Sequence, residues 1–242
     1  MAQAKHELVR EHLLELIDSH EVGAAIPPER RLAAHLEVSR VTLRRVIADL
    51  VREGYLTRRQ GSGTFVAAPK IAQPLTMTSF SEDMLRRGLK PGARTLCLEV
   101  VPAGARIARR LEISPHDHIV RVERLRLADD ETMAIETLHT PVSVVPDLDA
   151  EDLEQRSFYD LLTERYGITL AHATQTIEPT VTSPEESARL GVPDLSPAFL
   201  FQRVSYDAEE RVIEFVRSLY RGDRYQLVTE LLPARGRVGG RA

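Results

Sequence analysis

The run Pro27-Pro28-Glu29-Arg30-Arg31-Leu32-Ala33, continued by Val38-Ser39-Arg40-Val41-Thr42-Leu43-Arg44-Arg45 and closed by Arg58-Arg59-Gln60-Gly61-Ser62-Gly63-Thr64-Phe65-Val66, decides how this chain is read. Pro27-Pro28 restricts the backbone ahead of a short helix from Glu29 to Leu36. A carboxylate in that helix's first turn suits the helix dipole, and Leu32, Ala33 and Leu36 form the buried face. Ser39 is a good N-cap for a third helix reaching about Glu53, whose apolar stripe is Leu43, Val46, Ile47 and Leu50. Arg40, Thr42 and Arg44 then fall near its N-terminal end, off that stripe. A helix entering the major groove reads bases mainly with those residues. Gly54–Thr57 and Thr64–Val66 read as paired strands, and the two glycines between them permit a tight turn and a close backbone approach to phosphate.

Upstream, Val9, Leu13, Leu16 and Ile17 recur at helical spacing on one face, and that helix fades between His20 and Gly23. The order is therefore helix, short helix, arginine helix and glycine-tipped basic hairpin. Charge supports the division. Residues 1–70 hold 11 Lys+Arg against 9 Asp+Glu, leaving 21 against 27 of the chain's 32 and 36. Residues 39–60 alone carry six arginines against Asp49 and Glu53, a basic patch on an otherwise acidic chain.

These motifs resemble the winged helix-turn-helix of GntR-family transcription regulators over about residues 5–68. The resemblance implies DNA contacts by Arg30, Ser39, Arg40, Thr42 and Arg44, and by the wing residues Arg58, Gln60, Gly61, Ser62 and Gly63. Two departures stand out: Pro28 replaces the serine many members carry, and Ser62 replaces a basic residue, which implies weaker wing contacts.

Ala67–Pro74 is proline-bounded and aperiodic, as an extended linker would be. Beyond it, Ser79-Phe80-Ser81-Glu82 has capping-box spacing and opens a helix ending at Gly88. It is a helix cap first, and its hydroxyls and N–H groups also suit an anion. Arg94–Val101 reads as a strand with Leu96 and Leu98 on one face, and Ala105–Leu111 as a short helix. In the strand Ile119–Leu127, the period of two puts Val120, Val122, Arg124 and Arg126 on one face. Two arginines on a face that begins apolar call for either an anion or a bridging carboxylate, Glu123 or Glu136. Thr132–His139 returns as a strand. Ser157 caps a helix closed by Gly167, Ala171–Val181 is a strand, and Ser183-Pro184 starts a helix ending at Gly191. Phe199–Tyr206 and Val212–Tyr220 form a hairpin, and Gln226–Leu232 is a last strand. Strands in pairs with short helices make the class α+β: a winged helix-turn-helix followed by a larger α+β domain.

A second resemblance covers about residues 75–232. Arg124–Asp129, Ala134–Thr137 and Val216–Tyr225 are similar to the effector-binding UTRA domain of the HutC subfamily, whose fold resembles chorismate lyase. The nearest likeness is to amino-sugar-responsive regulators. It implies a phosphosugar site at Ser79, Phe80, Ser81, Arg124, Arg126, Ser157, Tyr159, Glu214 and Tyr220, with Glu136 beside the arginines. The expected organisation is a DNA-binding domain at 1–68, a linker at 69–77, a UTRA domain at 78–233 and a disordered tail at 234–242. The expected partners are a double-stranded DNA operator, a small anionic effector (a sugar phosphate or organic acid) and a second copy, joined through the second domain.

No enzyme chemistry is evident. His116-x-His118 lacks a third ligand, and no P-loop or nucleophile elbow occurs. Cys97, the single cysteine, excludes an internal disulfide and reads as a small buried residue. No metal or cofactor is expected. The absence of a signal-type segment or of a run near ~20 apolar residues points to the cytoplasm and away from membranes. The competing readings are a chorismate-lyase-like enzyme localised by its head and a constitutive DNA binder with a structural second domain.

Overall fold

The computed structural model describes residues 2–59 and 61–229; Gln60 and the tail at 234–242 lie outside them. The head comprises α1 (Ala2–Asp18), α2 (Glu29–His35), α3 (Arg40–Arg52) and a wing of β1 (Leu56–Arg59) paired antiparallel with β2 (Gly63–Val66). Its core is most of the set expected from periodicity: Val9, Leu13 and Ile17 of α1 meet Leu32, Leu43, Val46, Ile47 and Leu50, with Leu56 and Val66 closing from the wing, while the expected Leu16 and Leu36 are only partly buried against it. The turn into α3 places Glu37 at φ 52, a left-handed conformation in a non-glycine residue that composition did not signal. Arg10 clasps Glu53 at 2.6 Å, tying α1 to the end of α3.

The second unit opens with β3 (Ile71–Pro74) and α4 (Phe80–Arg86), followed by β4 (Pro91–Pro102), α5 (Gly104–Leu111), β5 (His118–Ala128) and β6 (Glu131–Pro141). Next come α6 (Ala150–Gln155), α7 (Phe158–Glu164), β7 (Leu170–Val181), α8 (Pro184–Leu190), β8 (Pro197–Asp207), β9 (Val212–Arg221) and β10 (Tyr225–Val228). Six strands form one antiparallel sheet in the order β4-β5-β6-β9-β8-β7, two meanders joined where β6 meets β9. Alternation divides the sheet into two faces. Ile119, Leu125, Ile135 and Leu219 point to the face covered by α5 and α8. Val120, Val122 and Leu138 point the other way, under α6 and α7. Further along that second face, Ala128 packs with Met84 of α4 and with Ile71 and Tyr225. Between these two apolar clusters the face turns polar, and a cleft opens there.

Several expectations need correction. The segment read as linker contains β3, which pairs in parallel with β10 some 150 residues away, so no local pattern could announce it. The last strand runs from Tyr225 to Val228, and the expected end at Leu232 lies outside the described residues. Leu96 and Leu98 do not share a face, because a bulge between Thr95 and Cys97 turns Leu96 into solvent while Leu98 packs inward. Cys97 sits at that bulge, half-buried rather than buried. The capping box at Ser79 is only half made: Ser79 accepts from the Glu82 N–H, but Glu82 turns to Arg86. Helix α6 went unread, although Asp149 and Asp152 complete a reciprocal box at its start.

Candidate functional sites

On the head, Arg30, Ser39, Arg40, Arg44 and Arg58 are exposed, as are Gly61, Ser62 and Gly63 at the wing tip. Thr42 is half-buried, and its hydroxyl shares a 2.8 Å hydrogen bond with Ser39 Oγ, which also accepts from the Thr42 N–H. Arg44 and Arg58 are brought together by one carboxylate: Glu29 accepts from Arg44 Nε at 3.1 Å and from Arg58 Nη2 at 3.5 Å. Val41 lies off the apolar stripe of α3. It stands 80% exposed on the first turn of α3, an apolar side chain of the kind that meets a thymine methyl in the major groove.

The cleft on the sheet is built from β5, β6, β8 and β9, with α4 and α7 as its rims. Its walls enclose about 730 Å³ of space, part of it open solvent. Of the ten residues proposed from sequence, Ser79, Phe80, Arg124, Arg126, Glu136, Ser157, Tyr159, Glu214 and Tyr220 line it. The tenth, Ser81, lies behind Arg126 and accepts from its Nη2 at 3.1 Å.

The two β5 arginines differ sharply. Arg124 donates through Nε to Glu136 at 2.6 Å and through Nη1 to the Leu153 carbonyl. The bridging carboxylate is thus Glu136, directly opposite in the β5–β6 register; Glu123 instead serves Arg121 and Arg189. Burial works to raise the Glu136 carboxyl, yet Arg124 and Arg126 hold it below its ordinary value. Arg126 is 3% exposed and has no carboxylate partner; its guanidinium lies 4.6 Å over the Phe80 ring, and its Nε and Nη1 are buried without a hydrogen-bond partner. Burial, then repulsion from Arg124, lowers its pKa to about 10.

On the far side, Glu214 accepts from Tyr159 Oη at 2.9 Å and from Ser205 Oγ at 2.8 Å. Burial pushes the Glu214 carboxyl up despite those donors. Arg203 was not singled out from sequence, though its signal was the same as that of Arg124: it alternates onto the face of its strand that begins with the apolar Phe199 and Phe201. It donates from Nε to Gln175 at 2.8 Å and from Nη1 to Tyr159 Oη and the Thr78 carbonyl.

The UTRA domain description matches residues 86–226, and that of bacterial regulatory proteins of the gntR family matches residues 5–66. The HTH-type transcriptional repressor NagR of Bacillus subtilis is 37% identical over 84% of each chain. The chain belongs to the GntR family of bacterial regulators. This GntR regulator is also 34% identical to the repressor PhnF of Mycolicibacterium smegmatis, over 91% of its own length and 89% of that protein. The crystal structure of PhnF from Mycobacterium smegmatis matches with a TM-score of 0.64 and 32% identity, covering 93% of this chain and all of that one. Head and sheet are therefore the DNA-binding and effector parts of a ligand-responsive transcription regulator, not of an enzyme. No helix among the described residues is long and apolar enough to cross a membrane.

Proposed function

We propose that this GntR regulator is a cytoplasmic homodimeric repressor, joined through its UTRA domain. It holds a two-fold operator and releases it when a small anionic metabolite, such as an amino-sugar phosphate, enters the cleft. Repressor names among the relatives, NagR and PhnF, support the sign of regulation. In this reading Arg40, Thr42, Arg44 and Val41 meet base edges from the N-terminal half of α3. Arg30, Ser39, Arg58 and residues 60–63 meet phosphates. A two-fold protein asks for a two-fold site. Residues 1–68 act as the head and 78–233 as the effector unit.

One observation carries the effector half of the proposal. Arg126 is buried with two N–H donors unmet, and a buried charge in that state is costly unless an anion meets it. Ser81 supplies a hydroxyl beside it, and in this reading Ser157, Tyr159 and Glu214, which also line the cleft, meet the sugar hydroxyls. Thermal melts against inorganic phosphate, sugar phosphates and organic acids test this directly. A sugar phosphate should raise the melting temperature of the native protein and not that of Arg126→Gln. A panel without any shift would instead favour a constitutive DNA binder.

A further inference from the structure

The cleft contains more positive charge than one phosphate site uses. Its charged lining residues are Arg124, Arg126, Arg203, Glu136, Glu214 and Asp83. Arg124 and Glu136 neutralise one another, and Asp83 pairs with Arg87 at 2.8 Å. Arg126 and Arg203 remain, and among the described residues neither has a carboxylate within ion-pair distance. Glu214 is the one carboxylate left to offset them, and burial favours its protonated form. At least one positive charge is unmatched, and two are once Glu214 takes a proton.

These two arginines stand on opposite walls. Arg203 of β8 pairs with Val216, Val216 with Leu138, and Leu138 with Val122 of β5, so all lie in one row on one face. Three strand spacings separate the walls, about 14 Å, and Arg126 lies a further four residues, about 13 Å, along β5. Arg203 is also tethered. Its bonds to Gln175, Thr78 and Tyr159 fix the guanidinium on its own wall, so it cannot join Arg126 on one phosphate without breaking them. Only neutral acceptors satisfy it there.

We infer that the effector carries two separated anionic groups: a phosphate taken by Arg126 and a second anion, carboxylate or phosphate, taken by Arg203 with Gln175 beside it. Arg203 is then the specificity-determining residue that separates phosphorylated sugar acids and bisphosphates from sugar monophosphates whose far end carries no anion. The inference rests on the proposed anion site at Arg126 and adds the far end of the ligand.

Calorimetry on the full chain tests it with inorganic phosphate, glucosamine 6-phosphate, 6-phosphogluconate and fructose 1,6-bisphosphate as probes. At least one of the two probes with a second anionic group should bind tenfold or more tighter than glucosamine 6-phosphate, and which one wins identifies that group. Arg203→Gln should abolish that advantage while leaving inorganic phosphate within about threefold; Arg126→Gln should remove phosphate itself. Two results overturn the inference while leaving the anion site standing. In one, glucosamine 6-phosphate binds at least as tightly as both probes that carry a second anionic group; in the other, Arg203→Gln weakens all four probes equally. If none of the four binds, the reading of the Arg126 site fails and this inference with it. Unliganded melting temperatures, and Arg203→Lys as a variant that retains the charge and should retain part of the preference, distinguish lost recognition from a damaged fold.

Discussion

Arg124 and Arg126 stand two residues apart on one strand face and meet opposite surroundings. Arg124 is half of a buried ion pair, so Arg124→Ala strands Glu136 and should cost about 3–5 kcal/mol of stability. Arg126→Gln removes a buried charge that no carboxylate offsets, so it should cost less than about 1 kcal/mol or stabilise slightly. Urea unfolding of both variants checks this, and equal losses would contradict the division of roles. Alternation in the sequence found both arginines, because a period of two needs no tertiary knowledge. Their difference was not legible, since it depends on the register that sets Glu136 opposite Arg124. Arg203 was legible by the same alternation. Its importance emerges only when β8 is known to lie on the same sheet, three strands away.

At the scale of elements, capped and periodic helices were readable because their signals are local. Ser39, Ser157 and Ser183 each cap the helix expected of them. What escaped was non-local or irregular: β3, whose partner is β10, and the bulge that turned Leu96 outward. Strand β6 carries a pH-sensitive contribution of its own. His139 is buried against Phe215, its ring 5.7 Å away, with Nδ1 3.4 Å from the Phe215 carbonyl. Burial lowers its pKa to about 4, and Arg121 and Arg106 add repulsion. Between that value and its ordinary 6.5 the unfolded chain binds a proton that the fold refuses, so stability should fall as pH drops through this window. The loss should reach about 3 kcal/mol near pH 4 for this residue alone. Urea midpoints of native protein and His139→Phe, compared at pH 7.5 and 4.5, test the sign. The native protein should lose more, and parallel losses would refute it.

In the whole molecule, head and effector sheet meet where α3 ends. Gly54, at φ 85, leaves no room for a Cβ, which would sit 2.0 Å from the Asp223 carbonyl oxygen. Asp223 is held by Arg221, the residue after Tyr220 of the cleft, and Lys70 reaches the neighbouring Gly222 carbonyl at 2.7 Å. Gly54→Ala should therefore loosen the head and cost about 1–3 kcal/mol, seen as faster proteolysis between Val66 and Ile71; unchanged cleavage would argue against a docked head. The two-part organisation was visible in the charge division and the wing motif, whereas this contact, joining residues far apart in sequence, was not. The central claim is that occupancy of the cleft governs the grip on DNA. It is tested most directly by the fluorescence-anisotropy affinity for a duplex selected from a random pool, with and without the anion giving the largest thermal shift. The expected result is a tenfold or greater loss of affinity in native protein and none in Arg126→Gln. An anion that binds the native protein yet leaves its DNA affinity unchanged would contradict the claim.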